Sequence, residues 1–268
     1  MKQSRPRARK RFGQNFLRDQ SIIDEIIAAA DPQEGDHVIE IGPGRGVLTS
    51  AILSQELALT AIEIDRDLSR DLREKHRHNP DFQLIEADVL KTDWNSLVKK
   101  DCRNKLIANL PYNISTPLFF RMVEHRAGFQ SFTIMIQKEV ALRISHPGRN
   151  KNLKDYGILS VIAQSVFDTK LVRDVPASCF VPEPKVNSAV IQLIPKAAEL
   201  PEEQVFFEFV KRAFNQRRKL LLSFLKKNEQ TLYGKLSSDT INCLKNLRAE
   251  NLSAFDYHQL FYEHQIDR

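Results

Sequence analysis

Short apolar runs alternate with helical stretches over most of the chain, between His37 and Pro195. The short runs are rich in residues that favour strands, and this alternation predicts a parallel sheet wrapped by helices. Seven candidate strands cover residues 37–41, 59–64, 82–86, 105–108, 131–136, 159–167 and 189–193. Candidate helices cover residues 19–30, 66–78 and 116–126, with Asp65 as an N-cap and Pro117 in a first turn.

The pattern changes after Pro195, where residues 196–201 read as a linker. Beyond the linker, apolar residues recur at helical spacing, as in Phe206, Phe209, Val210 and Phe214, and this stripe is typical of a helical core. We therefore predict three parts: a basic segment over residues 1–18, an α/β domain over 19–195 and a small α-helical domain over 202–268.

Composition narrows the class of protein. Of 268 residues, 42% are hydrophobic and 28% charged, which excludes collagen-like, low-complexity and wholly disordered chains. The apolar stretch at 157–163 is far shorter than the roughly 20 residues of a membrane span. The N-terminus lacks the apolar core of a secretory signal, so we expect a cytoplasmic protein, with a mitochondrial presequence as the weaker alternative. The three cysteines and seven histidines match no disulfide framework or metal-ligand spacing, so we expect reduced thiols and no metal.

The net charge of +6 is concentrated in two places. The first eleven residues contain six Lys or Arg and no acid, and residues 211–227 contain seven Lys or Arg and no acid. Such clusters suit a polyanion, because each neutralised phosphate releases condensed counterions. The alternative interpretation is a solvated tail and a solvated helix face.

A glycine-rich turn follows the first candidate strand, in the run Glu40-Ile-Gly-Pro-Gly-Arg-Gly-Val47. Glycines allow the backbone to approach a ligand at the carboxyl end of a strand. The run departs from the G-x-G-x-x-G of dinucleotide-binding folds, because Val47 takes the place of the last glycine.

One acidic residue lies at or just after the end of each of the next two candidate strands. Glu63 lies about twenty residues beyond the glycines, where a carboxylate can accept hydrogen bonds from both ribose hydroxyls. Asp88 follows the third candidate strand, where an acceptor suits the amino group of adenine. Each acid alone could cap the next helix, but the two together with the glycine turn favour a ligand site. This arrangement resembles Rossmann-like class I methyltransferases, whose cofactor S-adenosyl-L-methionine has ribose and adenine but no pyrophosphate.

The fourth candidate strand ends in Asn109-Leu110-Pro111-Tyr112, which resembles the N-L-P-Y motif of adenine-N6 methyltransferases. The N6 lone pair of adenine is delocalised into the ring and is a poor nucleophile. Oxygen acceptors at Asn109 and the Leu110 carbonyl can bond both N6 hydrogens and stabilise developing positive charge. Tyr112 can stack on an extruded base, and Phe180, in a proline-rich loop, can close the pocket from the other face. The alternative is an Asn-capped turn with two core aromatic residues.

Several motifs together resemble the ribosomal RNA adenine N6,N6-dimethyltransferase family, and within it the bacterial small-subunit enzymes. They are the glycine turn, N-L-P-Y, residues 10–17 (KRFGQNFL), residues 156–161 (YGILSV), residues 180–188 (FVPEPKVNS), residues 216–219 (QRRK) and residues 247–251 (LRAEN). The resemblance covers nearly the whole chain.

The resemblance implies a seven-stranded, mostly parallel methyltransferase sheet and dimethylation of two adjacent adenosines in a 3′-terminal hairpin loop of small-subunit rRNA. It assigns Asn15 and Leu17 to the methionine end of S-adenosyl-L-methionine, with Gly42, Glu63, Asp88 and Asn109 completing the cofactor site. It also implies that the helical domain contacts the small ribosomal subunit, which gives Arg217, Arg218 and Lys219 an RNA-binding role. We expect a monomer with no membrane partner.

Two other functions stay open from the sequence. One is a large-subunit rRNA dimethyltransferase of the antibiotic-resistance type, which shares the glycine turn and N-L-P-Y. The other is a ribosome-assembly factor for which methylation is incidental.

Overall fold

The structure, a computed structural model, describes residues 14–148, 154–198 and 200–262. Most of the predicted basic segment, including all six of its early cations, lies outside these ranges. The described residues up to Ala141, together with Thr169–Pro195, form one compact unit, which we call the sheet unit. Those within Leu142–Asp168, together with those from Lys196 onward, form a second, which we call the helical unit.

A small and a large sheet contain the strands of the described residues. The small one is antiparallel and pairs β1, Phe16–Leu17, with β8, Phe180–Val181. The large one has seven strands: β2 His37–Ile41, β3 Ala58–Glu63, β4 Phe82–Glu86, β5 Asn104–Asn109, β6 Ser131–Gln137, β7 Phe167–Val175 and β9 Ser188–Pro195. Their order is β4-β3-β2-β5-β6-β9-β7. The pairs β3–β4, β2–β3, β2–β5 and β5–β6 are parallel, and β6–β9 is antiparallel. The predicted mostly parallel, seven-stranded architecture is confirmed.

Five helices precede, separate or follow the first five strands of the large sheet. They are α1 Gln20–Ala30, α2 Val47–Leu53, α3 Arg66–His76, α4 Ser115–His125 and α5 Lys138–Ile144. The Asp19 side chain caps α1 by accepting hydrogen bonds from the amides of Ser21 and Ile22. The isoleucines of α1 pack with Ile52 of α2 against Val38 and Ile107 of the sheet. This packing holds the helices against the sheet, so the residues that follow the strands have fixed positions at the end of the sheet.

The predicted strand at 159–167 is wrong. Residues Ile158–Val166 form helix α6, and the strand begins only at Phe167 and runs to Val175. A short continuous apolar run does not distinguish a buried strand from a buried helix by its periodicity. Here six of the nine residues of α6 are buried. The Gly157 amide donates a hydrogen bond to Ser160 Oγ at 3.1 Å in the first turn, and the helix belongs to the helical unit. Residues 142–168 therefore belong to the helical unit, whereas the sequence pattern placed them in the α/β domain over residues 19–195.

The helical unit contains α6 and, among its described residues after Pro195, five further helices. These are α7 Glu203–Asn215, α8 Leu221–Asn228, α9 Gln230–Lys235, α10 Ser238–Leu244 and α11 Ala254–Tyr262. Its core is aromatic: Phe209 contacts Phe224 of α8 and both Tyr257 and Phe261 of α11. The Tyr257 hydroxyl donates to the Ala249 carbonyl at 2.8 Å, which satisfies a fully buried polar group. Within the described ranges, none of the helices has both the length and the apolar character needed to span a membrane.

Candidate active site

A cavity of about 280 Å³ lies at the carboxyl ends of β2, β3, β4 and β5 in the sheet unit. This is the edge where open α/β sheets bind ligands, since the connecting loops leave a crevice there. All nine site residues predicted in the sheet unit line this cavity: Asn15, Leu17, Gly42, Glu63, Asp88, Asn109, Leu110, Tyr112 and Phe180. The structure therefore brings together residues that are up to 165 positions apart in the sequence.

The glycine turn leaves β2 in a conformation that side chains rarely adopt. Gly42, Gly44 and Gly46 have φ angles of 66°, 59° and 72°. A Cβ at Gly46 would lie 2.6 Å from Leu72 Cδ2, so α3 packs directly against the bare backbone. The Gly42 amide donates to the Ile62 carbonyl at 2.9 Å and ties the turn to β3. Glycine is thus required both for the left-handed backbone and for close packing.

Glu63 ends β3 with its carboxylate held by the backbone. Its Oε2 accepts from the Gly44 amide at 3.1 Å, and its Oε1 accepts from the Asp65 amide at 2.9 Å. Burial raises the pKa of Glu63, and these backbone hydrogen bonds oppose the rise. Each carboxylate oxygen can accept a further hydrogen bond, so the backbone orients the Glu63 carboxylate and leaves it able to accept hydrogen bonds from the hydroxyl groups of a ligand.

Glu40, on β2, lines the same cavity and has no role in the sequence prediction. It is 1% exposed, and Thr49 Oγ1 donates to its Oε2 at 2.6 Å. Burial, with a smaller contribution from the Glu63 charge, raises the pKa of Glu40 to about 8. A protonated Glu40 beside Glu63 limits the negative charge at this end of the cavity.

The loop after β4 is fixed by hydrogen bonds to its backbone. Asp88 Oδ1 accepts from the Leu90 amide at 3.0 Å, and the indole Nε1 of fully buried Trp94 donates to the Val89 carbonyl at 3.1 Å. Arg121 of α4 donates to the Thr92 carbonyl at 3.0 Å. Asp88, Val89 and Leu90 all line the cavity, so this loop forms one wall of it.

Asn109 is the last residue of β5 and is partly exposed to the cavity. Its Nδ2 donates to the Asn15 carbonyl at 3.5 Å, which turns Oδ1 away from that contact. The Leu110 amide donates to the Met135 carbonyl of β6 at 3.0 Å and fixes the peptide that follows. The two predicted acceptors thus stand on backbone that the sheet holds in place.

Two aromatic side chains lie at the same cavity. The Tyr112 hydroxyl is 2.8 Å from Ser188 Oγ, and Phe180 is 3% exposed. Strand β8 carries Phe180 and pairs it with Leu17 of β1. The small β1–β8 sheet therefore explains how the N-terminal residues Asn15 and Leu17 reach the end of the large sheet.

Comparison of the whole chain with known protein families identifies the family to which it belongs. A family model described as ribosomal RNA adenine dimethylase matches residues 5–265. The chain belongs to this family. The resemblance inferred from the sequence motifs is thereby confirmed, as is the class I methyltransferase fold.

Relatives of this dimethylase include proteins named ribosomal RNA small subunit methyltransferase A. The Clostridium perfringens protein is 46% identical over 215 residues, covering 79% of this chain and 74% of that protein. The Acinetobacter baylyi protein is 42% identical over 223 residues, covering 82% and 80%.

Two solved structures share the fold of the dimethylase. A dimethyladenosine transferase from Plasmodium falciparum is 26% identical with a TM-score of 0.74, covering 93% of this chain and 97% of that one. The 23S rRNA methyltransferase ErmE is 24% identical with a TM-score of 0.71, covering 93% and 99%, and this likeness concerns the fold alone.

Sequence reasoning missed several cavity-lining residues of the dimethylase. The guanidinium of Arg45 lies 4.3 Å from the centre of the Phe16 ring, and both residues line the cavity. Phe16 stands between the predicted residues Asn15 and Leu17, but its position next to the glycine turn depends on strand pairing that no local spacing reveals.

Within the described residues, no group of three or more His, Cys, Asp or Glu side chains is placed to hold a metal ion.

The predicted RNA-binding residues belong to the helical unit. Arg217 forms an ion pair with Glu250, whereas Arg218 and Lys219 are exposed between α7 and α8. Lys211 pairs with Glu208 at 2.7 Å and Arg212 with Glu229 at 2.7 Å. The cluster is free of acids along the sequence, but acids from outside the 211–227 stretch partly neutralise it.

Proposed function

We propose that this dimethylase transfers methyl groups from S-adenosyl-L-methionine to N6 of two adjacent adenosines in the 3′-terminal hairpin loop of small-subunit (16S) rRNA. Four transfers convert the two bases to N6,N6-dimethyladenosine. The observation that carries the proposal is that Asn109 and Leu110 share one cavity with Gly42 and Glu63. A methyl acceptor and a methyl donor can therefore meet at the carboxyl edge of one sheet.

The cofactor side of the proposal uses oriented acceptors and bare backbone. Glu63 accepts hydrogen bonds from the ribose hydroxyls, Asp88 from the adenine amino group, and Gly42 lets the ligand approach the turn. Asn15 and Leu17 hold the methionine end. S-adenosyl-L-methionine supplies an electrophilic methyl group on a sulfonium, so the protein has to position the attacking nitrogen in line with it.

The acceptor side uses Asn109 and Leu110. In the first transfer to each base, Oδ1 of Asn109 and the carbonyl of Leu110 accept hydrogen bonds from the two N6 hydrogens; in the second, one of them accepts from the single hydrogen that remains. These bonds concentrate electron density on nitrogen and stabilise the positive charge that develops during attack. The methylated nitrogen is then strongly acidic, so its proton can pass to water without a dedicated base. Tyr112 and Phe180 hold the base between two rings, and such stacking contributes about 1–3 kcal/mol per base.

The small subunit is favoured over the large subunit as the substrate. The support comes from relatives named ribosomal RNA small subunit methyltransferase A, which are 42–46% identical to this chain over about 80% of its length. Incubating purified, unmodified small and large subunits with labelled S-adenosyl-L-methionine tests this choice. We expect label in the small subunit, and label confined to the large subunit would overturn the proposal.

A role limited to subunit assembly makes a different prediction for Asn109→Ala. If catalysis is the function, this variant loses methyl transfer by at least about 100-fold, because a positioned acceptor at the reacting nitrogen is removed, while it still binds small subunits. Filter binding and methyl incorporation measured on the same preparation separate the two roles. Parallel loss of binding and methylation would argue against a separate catalytic pocket.

We propose that Arg218 and Lys219 bind rRNA phosphates. Removing one cation that neutralises a phosphate reduces the slope of log affinity against log salt by about 0.7–0.9. We expect Arg218→Ala/Lys219→Ala to flatten this slope, and Lys211→Ala, whose amine is already paired with Glu208, to change it less. An unchanged slope in the double variant would remove these two residues from the interface.

A further inference from the structure

Ser188, the first residue of β9, is fully buried, and its Oγ lies 2.8 Å from the Tyr112 hydroxyl. Tyr112 lines the cavity, whereas Ser188 is not among the described residues that line it. Ser188 does not line the cavity, and its hydroxyl is linked to the cavity by the hydrogen bond with Tyr112.

The backbone around Ser188 is fixed on both sides. Ser188 pairs with Gln137 in the antiparallel β6–β9 register, and the carbonyl of its neighbour Asn187 accepts from the Lys138 amide at 3.0 Å. A hydroxyl on this backbone is a stationary partner for the phenol of Tyr112, which is on the loop that follows β5.

The same dipeptide also holds the segment that leads to Phe180. Asn187 Oδ1 accepts from the Ala177 amide at 3.1 Å, and Ala177 begins the short helix Ala177–Cys179 that immediately precedes Phe180. Asn187 and Ser188 are consecutive, so the Tyr112 hydroxyl and the backbone three residues before Phe180 are both hydrogen-bonded to the start of β9.

From this geometry we propose that Ser188 is a positioning residue that holds the Tyr112 ring in the orientation required to stack on the target adenine. The inference rests on the proposed function, because it takes Tyr112 as the stacking residue. A half-buried phenol without its partner would turn toward other acceptors or water, and the ring would sample orientations in which the base is held less well.

Removing either hydroxyl should therefore have the same consequence. We expect Ser188→Ala to lower kcat/KM for unmodified small subunits by about 5- to 20-fold, the effect of losing one buried hydrogen bond. Tyr112→Phe keeps the ring and should lose a similar factor. The double variant should be no worse than either single variant, because both changes delete the same hydrogen bond.

Two further variants separate this role from general destabilisation. Ser188→Cys replaces the hydroxyl with a slightly larger thiol that is a weak hydrogen-bond donor, so it should lower kcat/KM as Ser188→Ala does without leaving a cavity. Thr133→Val is the matched control, since Thr133 is fully buried on β6 and its Oγ1 has no hydrogen-bond partner among the described residues. It should keep wild-type kcat/KM. The affinity for S-adenosyl-L-methionine, measured by calorimetry, should change by less than about twofold in every variant, since the hydrogen bond lies on the acceptor side.

The inference is overturned if Ser188→Ala keeps wild-type kcat/KM, or if the two single effects multiply in the double variant. A second measurement does not depend on the reaction. In protein with tyrosine ¹³C-labelled at the ring Cζ alone, five signals are expected from the five tyrosines, and the one missing in Tyr112→Phe is that of Tyr112. Ser188→Ala should shift or broaden this signal and Thr133→Val should not, and an unmoved signal also overturns the inference. Wild-type protein that leaves small subunits unmethylated would instead refute the proposed function.

Discussion

Glu40 offers a quantitative test of the electrostatics at the cavity. The carboxyl group is fully buried, and its pKa is raised from 4.5 to about 8. In the folded protein Glu40 keeps its proton up to about pH 8, whereas in the unfolded chain it loses the proton above about pH 4.5. Between these values the folded state binds more protons, so its stability falls as the pH rises and levels off above about pH 8.

The magnitude follows from the pKa difference of about 3.5 between the two states. At about 1.4 kcal/mol for each pKa unit, ionising Glu40 in the folded protein costs about 5 kcal/mol in full. Glu40→Gln removes the titration and keeps an oxygen acceptor for the Thr49 hydroxyl. The variant should match the wild type near pH 5 and exceed its unfolding free energy by several kcal/mol, on the order of 3–5, at pH 9.

Urea unfolding at half-unit intervals from pH 5 to pH 9 measures this difference. Trp94 is the one tryptophan in the sequence and is fully buried in the sheet unit, so its fluorescence follows unfolding of the unit that contains Glu40. Glu34→Gln, at an exposed carboxylate, serves as the control for a general charge effect. A difference between Glu40→Gln and wild type that is the same at every pH would refute the reasoning.

Two other substitutions test how the cavity walls are held. Gly46→Ala should lower the unfolding free energy by about 1–3 kcal/mol and weaken S-adenosyl-L-methionine binding, because φ is 72° and the new Cβ would meet Leu72. Trp94 fluorescence measures the stability and calorimetric titration measures the binding. A variant as stable as the wild type would contradict the need for glycine at this position. Trp94→Phe should raise the KM for S-adenosyl-L-methionine several-fold with little change in kcat, because the hydrogen bond to the Val89 carbonyl that holds the Asp88 loop is removed; circular dichroism checks the fold, and an unchanged KM would show that the loop does not need this anchor.

The sequence predicts six of the seven strands of the large sheet, because most of them are short, rich in strand-forming residues and separated by clear turn signals. The predicted strand at 37–41 agrees with β2 at both ends, and Asp65 caps α3 as expected by accepting from the Asp67 amide. The failure at 159–167 concerns an apolar run that is buried on nearly all sides, where helix and strand leave the same pattern in the sequence. Its assignment to a helix depends on the other helices of its unit, with which it packs.

The site was predictable where local chemistry was distinctive. The glycine turn, Glu63 and Asn109 each follow or end a strand, and the carboxyl ends of parallel strands meet at one edge. Glu40 and Ser188 were not predictable in this way, because a buried carboxyl and a buried hydroxyl have no local signature. Their importance comes from neighbours that are 9 and 76 residues distant in the sequence.

The central claim is that the Asn109 pocket dimethylates two adjacent adenosines of small-subunit rRNA. Mass spectrometry of rRNA fragments and nucleosides tests it most directly, after unmodified small subunits are incubated with S-adenosyl-L-methionine and either wild-type protein or Asn109→Ala. We expect two neighbouring N6,N6-dimethyladenosines near the 3′ end with the wild type and none with the variant. Wild-type reactions that yield no dimethyladenosine, or equal modification by the Asn109→Ala protein, would contradict the claim.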